Sequence, residues 1–320
     1  LSNNSSIILK NININSTRIG VIKILNMMGA NISAKNNNEN APIEFNGGNL
    51  LDLEYDLPVA SAQLKSSLIL AGIRSKNGIK IKEKDTSRDH TERLLSNMGA
   101  DINVDGLKIT VKPSLIESRD IIVPGDISSA AFWMVAGSIH NDSEIMIRNV
   151  GINETRAGII SVLNRMGASL EFSNKMDYSG EPACDILVKS SNLKGTNISG
   201  KEIPLLIDEI PIIALAAVFA EGETLITDAE ELRFKESDRI SLTVNWMKDA
   251  GAKVEEFQDG MKITGTNYLG GGTFTSHGDH RLAMTLGIAS LISQESITIN
   301  DHEASNVSYP GFWENLNNLG

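Results

Sequence analysis

The chain contains little cysteine, no long apolar run and no excess of positive charge. It has 320 residues and a single cysteine, Cys184, so an internal disulfide is excluded and a reducing compartment is favoured. No apolar run approaches the roughly 18 residues that span a bilayer, and no stretch resembles a signal peptide. The net charge of -11 argues against non-specific binding of nucleic acid. These absences favour a cytoplasmic protein that binds neither membranes nor nucleic acid.

Size and composition indicate a globular chain of two domains. A chain of 320 residues exceeds the usual size of a single core, and 41% hydrophobic and 22% charged residues are ordinary for a globular protein. Pro124 and Gly125 mark the best boundary, because they separate a strand-like run at residues 120–123 from a helical pattern that begins at Ser128. We therefore expect one domain over residues 1–124 and a second over residues 125–320.

An internal repeat is the strongest sign of how the chain is organised. The pattern of residues 14–20 and its ending at 28–30 return at residues 152–158 and 166–168, and weaker copies run over 91–100 and 237–252. Each copy has a polar helix cap, apolar residues at helical spacing, a glycine suited to the left-handed conformation that ends a helix, and an apolar strand. Strand-like runs also precede the helices. The repeat predicts β-α-β units and therefore an α/β or α+β fold.

The charged run over residues 231–239 is the most informative stretch of the sequence. Its three cations, Arg233, Lys235 and Arg239, alternate with carboxylates, among them Glu236. Such a run can hold a multiply charged anion and keep an acid or a base beside it. On a helix Lys235 and Arg239 would share a face, because they are four residues apart. The alternative is a solvated helix start with surface ion pairs.

Asp208 and Glu209 interrupt an otherwise apolar run at residues 204–211. Burying a charge costs free energy unless the charge is paired, so these carboxylates are either partnered or functional. An apolar helical pattern follows them, and we expect it to hold one of the two carboxylates at its N-terminus.

Other segments place polar residues where a helix begins. Ser61, Ala62 and Gln63 precede an apolar helical pattern, and a helix N-terminus favours anions because its first amides lack partners. A capped core helix is the alternative for this segment. Arg88 and Arg281 each lie at a further predicted helix start, where an arginine is available to an anion.

The histidines and the cysteine do not form a reactive pattern. His90 reads as a structural residue, and His277 and His280 lack the further ligands that would complete a metal site. Cys184 has no basic neighbour in the sequence to lower its pKa. We therefore expect no metal site and an inert thiol.

Taken in order, these motifs resemble the EPSP synthase (3-phosphoshikimate 1-carboxyvinyltransferase) family of enolpyruvyl transferases. The resemblance covers nearly the whole chain from about Asn31 onward. The segments that carry it are residues 59–66, 87–92, 124–131, 153–158, 207–209, 232–239, 278–284 and 307–310.

The resemblance implies a fold and a reaction. The implied fold has two domains of inverted β-α-β-α-β-β repeats, with helices inside and sheets outside, and an active site in a cleft between the domains that closes on substrate. The implied reaction transfers the enolpyruvyl group of phosphoenolpyruvate to the 5-hydroxyl of shikimate 3-phosphate through a tetrahedral intermediate, with release of phosphate, in the shikimate pathway. Neither a metal nor an organic cofactor is implied. The expected partners are these two small molecules, and we expect a monomer.

The resemblance also assigns roles to residues by position. Asp208 would accept the proton of the attacking hydroxyl, and Glu236 would transfer a proton at the methylene carbon. The residues implied to bind shikimate 3-phosphate are Ser61, Ala62 through its backbone, Gln63, Arg88, Asp208 and Lys235. The residues implied to bind phosphoenolpyruvate are Gln63, Arg239 and Arg281. Two phosphates and two carboxylates require several cations in one site, which agrees with these residue types.

One departure from the family concerns the start of the chain. Family members carry an early Gly-Ser-Lys-Ser loop and an Asn-Ser-Gly-Thr-Thr segment, each with an arginine, and neither occurs here. Residues 1–30 are instead similar to the repeat at 153–168. We therefore expect a chain without the family's N-terminal segments, a second domain that lacks their contribution, and reduced or absent turnover. Turnover equal to that of full-length relatives would contradict this expectation.

Two alternatives remain at the level of sequence. The related transferase that acts on UDP-N-acetylglucosamine uses a loop cysteine followed by Gly-Arg-Pro, a context that Cys184 lacks, and it has no counterpart of residues 235–239. A fragment or binding protein without activity that kept the fold is the other alternative. It is disfavoured because the chain retains Asp208, Glu236, Arg239 and Arg281.

Overall fold

The structure of the chain, a computed structural model, describes residues 6–11, 16–38 and 40–319. It divides into two compact units. The first comprises the residues up to Ile122 together with Ser179–Glu181, and the second comprises Val123–Tyr178 and the residues from Pro182 onward. The sequence predicted a boundary between residues 124 and 125. Within the described ranges no helix is long and apolar enough to cross a bilayer.

The first unit contains two sheets with helices between their strands. Its elements are β1 (Ser6–Leu9), α1 (Ser16–Met27), β2 (Asn31–Ala34), α2 (Lys35–Asn38), β3 (Asn40–Asn46), β4 (Leu53–Asp56), α3 (Ala62–Arg74), β5 (Ile79–Lys82), α4 (His90–Asn97), β6 (Ile102–Asp105) and β7 (Lys108–Val111). One sheet has the antiparallel order β1-β3-β2. The other has the order β4-β5-β7-β6, in which β4 and β5 are parallel and the remaining pairs are antiparallel.

The second unit begins with a buried helix. Its elements are α5 (Ile127–Ile139), β8 (Glu144–Gly151), α6 (Gly158–Arg165), β9 (Ser169–Tyr178), β10 (Glu181–Lys189), β11 (Asn197–Ile198), α7 (Ile203–Leu206), α8 (Ile210–Val218), β12 (Glu223–Ile226), α9 (Arg239–Asp249), β13 (Lys253–Phe257), β14 (Gly260–Thr264), β15 (Gly272–Thr275), α10 (His280–Ser290), β16 (Ile297–Asn300) and α11 (Phe312–Asn317). Its sheets have the orders β8-β10-β9, β11-β12-β14-β13 and β15-β16.

The predicted β-α-β-α-β-β order occurs in both units. In the first unit it is β4-α3-β5-α4-β6-β7, and in the second it runs from β11 through α8, β12 and α9 to β13 and β14. The two sheets have matching strand orders and the same pattern of one parallel and two antiparallel pairs. The sheets β1-β3-β2 and β8-β10-β9 repeat the order of the last three strands. The predicted fold class is confirmed.

A glycine in the left-handed conformation ends the helix of each repeat. The value of φ is 84° at Gly29, 94° at Gly99, 90° at Gly167 and 83° at Gly251. These glycines follow α1, α4, α6 and α9, and the strands β2, β6, β9 and β13 come next. The prediction from the sequence repeat is therefore confirmed for these helix ends. Residues 14 and 15, which begin the first copy of the repeat, lie outside the described residues.

The central helices of the second unit are buried on all sides. Every residue of α8 is buried, and so is almost every residue of α5. A helix that is apolar all round belongs inside a core, because it has no polar face to present to water. In β8, by contrast, exposed residues alternate with less exposed ones, so the strand turns one face toward the core and the other toward solvent. Helices inside and sheets outside follow from these two patterns.

Two local predictions are wrong. Residues 120–123 form no strand, and the first β-bridge after them joins Gly125 to Val150. The polar residues before α6 do not cap it. The side chain of Asn153 accepts the backbone N–H of Thr155 at 2.9 Å and forms a turn, and the cap position of α6 is Ala157. Asparagine readily forms such a turn with its own backbone, which competes with capping.

Candidate active site

The charged run forms a short 3-10 helix, a bend and the start of a helix. Glu230–Phe234 is the 3-10 helix, and α9 begins at Arg239 behind its cap Asp238, which accepts the N–H of Ser241 at 3.0 Å. Because Asp238 starts a new helix at this point, Lys235 lies before α9. Lys235 and Arg239 therefore do not share a helix face, as they would if one helix contained both.

Arg233 is the structural cation of the run. Its guanidinium lies 2.9 Å from Asp238 and 3.0 Å from Glu256, and its Nε donates to the carbonyl of Gln258 at 2.7 Å. These contacts fix the run against β13. The ion-pair alternative that the sequence left open holds for this arginine.

Arg239 is buried and lies within hydrogen-bond distance of three carboxylates. It is 1% exposed. Its Nε donates to Asp279 at 2.9 Å, its Nη1 to Asp208 at 3.2 Å and its Nη2 to Glu236 at 2.5 Å. These partners come from segments that are far apart in the sequence. Charge-assisted hydrogen bonds on all three nitrogens offset the cost of removing the guanidinium from water.

Asp279 connects Arg239 to the helix that carries Arg281. Its carboxylate caps α10 by accepting the N–H of Arg281 at 2.8 Å, and it accepts the hydroxyl of Ser237 at 2.8 Å. Burial by itself raises the pKa of Asp279, but the hydrogen bonds and charge of Arg239 outweigh it and hold that pKa below its usual range. Asp279 is therefore an anion that sets the positions of both arginines.

Lys235 and Arg239 both contact the carboxylate of Asp208. Its Nζ is 4.0 Å from Oδ1 of Asp208 and 2.7 Å from Oε1 of Glu231. The side chain of Asp208 is 17% exposed and that of Lys235 is 23% exposed. Asp208 belongs to the 3-10 helix Ile207–Glu209 directly before α8, as the sequence predicted. This carboxylate is thus partly open and lies between two cations.

Arg281 is a second buried arginine of this unit. It is 8% exposed, its Nη1 donates to the carbonyl of Ser128 at 3.3 Å, and Oε1 of Glu209 lies 4.0 Å away. Its Nε and Oε1 of Glu209 have no hydrogen-bond partner among the described residues. Burial raises the pKa of Glu209, although the charge of Arg281 and a hydrogen bond with Ser128 act in the other direction. A buried arginine donor that lacks an acceptor is satisfied when an oxygen of an anionic ligand reaches it.

Ser128 joins Arg281 to a further cation. Nη2 of Arg156 donates to the hydroxyl of Ser128 at 2.5 Å and lies 3.3 Å from Asp126, the N-cap of α5. Arg156 belongs to the motif at residues 153–158, for which the sequence suggested no chemical role. The second unit therefore combines Arg156, Lys235, Arg239 and Arg281 with the carboxylates of Asp208, Glu209, Glu236 and Asp279.

The other predicted site residues belong to the first unit. Ser61 caps α3 and accepts the N–H of Leu64 at 3.4 Å, so the capped-helix alternative holds for its side chain. Ala62 and Gln63 form the first turn of α3, and Gln63 is exposed. Arg88 is half-buried and lies two residues before the start of α4.

Cys184, His90 and His280, for which the sequence predicted no reactive role, are buried or have polar partners. Cys184 is fully buried in β10, and burial raises the pKa of its thiol. Nδ1 of His90 lies 2.7 Å from Glu181, and the pKa of His280 is lowered by burial and then by the charge of Arg281. Across the ranges that the structure describes, no group of three or more histidine, cysteine, aspartate and glutamate residues could hold a metal ion.

Sequence reasoning gave no role to Asp279, Ser128, Arg156 and Lys65. Asp279 had a usable signal, since an aspartate two residues before an arginine at a helix start is a natural cap. Lys65 also had one, because it lies between Leu64 and Leu68 on the apolar side of a helix. Ser128 and Arg156 had none, because their contact joins residues 28 positions apart.

Comparison with known proteins identifies a family. The sequence profile described as EPSP synthase (3-phosphoshikimate 1-carboxyvinyltransferase) matches residues 19–316. The 3-phosphoshikimate 1-carboxyvinyltransferase of Syntrophomonas wolfei is 47% identical over 301 residues, which cover 93% of this chain and 70% of that protein. The enzyme of the same name from Bacillus subtilis is 46% identical over 301 residues, again 93% of this chain and 70% of the relative.

Solved structures agree with this match. An EPSP synthase from Acinetobacter baumannii superposes with a TM-score of 0.94 at 37% identity and covers 100% of this chain and 74% of its own. The enolpyruvyl transferase NikO from Streptomyces tendae has a TM-score of 0.79 at 18% identity, covering 99% of this chain and 73% of its own. At that identity the second likeness concerns the fold alone.

Proposed function

The chain belongs to the EPSP synthase family, and we propose that it transfers the enolpyruvyl group of phosphoenolpyruvate to the 5-hydroxyl of shikimate 3-phosphate. Phosphate is the second product, and the reaction serves aromatic amino acid biosynthesis in the shikimate pathway. The observation that carries the proposal is the buried Arg239 with Asp208 and Glu236 on its guanidinium. This arrangement supplies an anion-binding cation and two separate carboxylates for proton transfer.

The proposal assigns phosphoenolpyruvate to the arginines. Arg239 and Arg281 bind its phosphate and carboxylate groups, together with Gln63. The side chain of Glu236 is 55% exposed, so it can leave Nη2 of Arg239 when an oxygen of the substrate takes its place. Support comes also from Arg281, whose Nε has no hydrogen-bond partner within the described part of the chain. Arginine suits both groups because its planar donors match two oxygens at once.

The proposal assigns shikimate 3-phosphate to six residues. They are Ser61, Ala62 through its backbone, Gln63, Arg88, Asp208 and Lys235. Support comes from the start of α3, where first-turn amides and the helix dipole favour an anion. The cations Arg88 and Lys235 supply the opposite charge. Asp208 both binds the substrate and takes part in the reaction, because it accepts the proton of the 5-hydroxyl.

The proton transfers balance with two carboxylates. The 5-oxygen attacks C2 of phosphoenolpyruvate as its proton passes to Asp208, and C3 gains a proton from Glu236 to give the tetrahedral intermediate. Phosphate then leaves C2 with the proton that Asp208 had taken from the 5-hydroxyl, and Glu236 takes a proton back from C3 to restore the double bond. Deprotonating an alcohol while protonating a methylene carbon requires separate groups at separate atoms. The separate bonds of Asp208 and Glu236 to two nitrogens of Arg239 support this division.

The same proposal covers cofactors, partners and location. The reaction uses neither a metal nor an organic cofactor. The chain acts as a monomer in the cytoplasm on two small-molecule substrates, without binding nucleic acid or membranes.

The experiment that tests the function measures phosphate released from phosphoenolpyruvate with each of two acceptors. We expect any release to occur with shikimate 3-phosphate, whatever its rate, and none with UDP-N-acetylglucosamine. The buried Cys184 in β10 supports this preference, because the transferase for the UDP-sugar uses a cysteine in a loop. Release with the UDP-sugar alone would overturn the proposal.

Calorimetry separates the enzyme from a binding protein that kept the fold. We expect heat on titration with shikimate 3-phosphate whatever the rate of turnover, because the proposed binding residues are present. If the titration gives no heat, the chain is not a shikimate 3-phosphate enzyme.

A further inference from the structure

The first unit buries a lysine with two glutamates. Lys65 is 1% exposed, and both Glu83 and Glu92 are 5% exposed. Nζ of Lys65 lies 2.8 Å from Oε1 of Glu92 and 3.2 Å from Oε2 of Glu83, and it donates to the carbonyl of Ser87 at 3.2 Å. An ammonium has three donors, and here each of them has one acceptor. Lys65 is therefore fixed in one position.

The acceptors of Lys65 lie on segments next to two of the proposed substrate-binding groups. Lys65 itself is two residues beyond Gln63 on α3. Ser87 directly precedes Arg88, and its hydroxyl donates to the other oxygen of Glu83 at 2.5 Å. A second contact joins α3 to α4, since the hydroxyls of Ser66 and Thr91 are 2.6 Å apart and form a hydrogen bond. One ammonium thus links the helix start that carries Gln63 to the loop that carries Arg88.

Stability alone does not account for this cluster. Replacing a buried ion pair with apolar side chains of similar size is often neutral or stabilising, because the desolvation cost disappears. Lys65 lies between Leu64 and Leu68 on the buried side of α3, where an apolar residue would pack well. Moreover, Oε2 of Glu92 is buried without a hydrogen-bond partner among the described residues. A polar cluster that is costly for folding fixes geometry more exactly than an apolar one, because its hydrogen bonds have defined lengths and directions.

We propose that Lys65 is a positioning residue, which holds Ser61, Gln63 and Arg88 in the geometry that binds shikimate 3-phosphate. The inference rests on the proposed function. Lys65 touches no substrate in this account and acts through Glu83, Glu92 and the carbonyl of Ser87. Binding groups must be held to within a fraction of an ångström, so loosening this link weakens binding even when each binding residue remains.

The charge of the cluster is consistent with a rigid link. Burial raises the pKa of Glu92, although the hydrogen bond and charge of Lys65 oppose the shift. Both glutamates contact the ammonium of Lys65, so the cation has a carboxylate partner on two sides.

The test replaces the charged cluster with a neutral one of similar size. In the triple variant Lys65→Met, Glu83→Gln, Glu92→Gln, no buried charge is left unpaired. We expect its dissociation constant for shikimate 3-phosphate, measured by titration calorimetry, to rise about tenfold or more. The matched control is Lys112→Met, which breaks the exposed Lys112–Asp101 pair at 2.9 Å in the same unit and should bind like the parent chain.

The titration separates positioning from folding. A merely structural role would leave the dissociation constant of the folded molecules unchanged. Irreversibly misfolded protein lowers only the stoichiometry, and reversible unfolding raises the apparent constant only by the inverse of the folded fraction, which urea unfolding measures. A second variant, Lys65→Arg, keeps the charge but replaces a compact ammonium with a planar group that cannot match three acceptors arranged around one nitrogen. We expect it to weaken binding as well, and it decides the matter if the triple variant does not fold.

The outcomes distinguish this inference from the proposed function. No heat with the parent chain would overturn the function itself. Heat with the parent chain and unchanged dissociation constants in the variants would overturn the positioning role and leave the function standing.

Discussion

Arg239 shows why a buried cation needs several partners. A guanidinium taken out of water loses its hydration, and each of its nitrogens must then find an acceptor. Asp279, Asp208 and Glu236 provide these acceptors on three sides. Asp279 is fully buried, whereas the side chain of Glu236 is more than half exposed. The first carboxylate therefore anchors the arginine, and the second can exchange places with a substrate oxygen.

The anchoring role predicts the effect of Asp279→Asn. Asparagine keeps the shape and still caps α10, but it removes the negative charge opposite Arg239. We expect the free energy of unfolding of the second unit to fall by about 1 to 3 kcal/mol at pH 7. Urea unfolding followed by tryptophan fluorescence measures this, because Trp133, Trp246 and Trp313, the three tryptophans of the chain, lie in the second unit.

The pH dependence of that effect has a definite sign. The folded pKa of Asp279 is depressed, so its contribution is present above the unfolded pKa of about 4 and is lost as pH falls through the folded pKa. The difference between the parent chain and Asp279→Asn should therefore shrink in acid. Asp249→Asn, an exposed position at the end of α9, serves as the control. A difference that grows in acid would contradict the account of Asp279.

The proposed proton transfer predicts the effect of Glu236→Gln. The amide keeps a hydrogen-bonding group beside Arg239 but cannot donate or accept the proton at C3. We expect kcat to fall by about 10² to 10⁴-fold with little change in stability, because the side chain is largely exposed. The rate of phosphate release at saturating substrate concentrations measures kcat. Glu230→Gln, a change at an exposed glutamate, is the control. Near-normal kcat in Glu236→Gln would remove Glu236 from the mechanism.

At the scale of elements, the repeat depends on where its helices end. A residue with a side chain resists positive φ, so a glycine at this position lets the chain turn from the helix into the following strand. The same solution recurs at Gly29, Gly99, Gly167 and Gly251. The glycine lies two residues beyond the end of the helix in all four copies, and three or four residues separate each helix from the strand that follows.

The positive φ of Gly99 predicts the effect of Gly99→Ala. An added Cβ would meet only the carbonyl of Leu115 at 3.8 Å, so there is room for it, and the cost arises from φ of 94°. We expect a loss of about 1 to 2 kcal/mol in the free energy of unfolding of the first unit. Gly48→Ala in the same unit is the matched control, because Gly48 lacks positive φ and its Cβ would also be unobstructed. Equal unfolding midpoints for the two variants by far-ultraviolet circular dichroism would contradict this reading.

The sequence predicted these elements where the signal is local. Helix ends at glycine and the strands that follow them, such as β2 and β13, can be predicted from spacing and residue type within a dozen positions. It was wrong where a strand needs a partner or where a side chain has a competing bond. Residues 120–123 are apolar enough for a strand but form none, and Asn153 forms a turn with Thr155 and does not cap α6.

At the scale of the whole molecule, burial of carboxylates couples folding to pH. Glu209 is 3% exposed, and its folded pKa is raised. A carboxyl with a raised folded pKa favours the folded state most below its unfolded pKa, and that contribution is lost as pH rises through the folded pKa. We therefore expect the ionised side chain of Glu209 to lower the stability of the second unit as pH rises.

This linkage predicts the effect of Glu209→Gln. Glutamine cannot ionise, so the variant should not lose stability as pH rises above the unfolded pKa of about 4.3. The free energy of unfolding of the variant, relative to that of the parent chain, should increase with pH and then level off above the folded pKa. Urea unfolding at a series of pH values, followed by tryptophan fluorescence, measures it. A relative stability that decreases with pH would show that pairing with Arg281 outweighs burial.

The sequence by itself determined the family, the repeat and the residue types of the candidate site. Those signals come from short segments, and each segment can be interpreted without knowing its position in the tertiary structure. Only the tertiary structure decided that Arg239 lies among Asp208, Glu236 and Asp279, that Ser128 joins Arg156 to Arg281, and that Lys65 is buried with Glu83 and Glu92. The physical reason is that burial, and with it the need of each charge for a partner, depends on contacts between residues far apart in the chain.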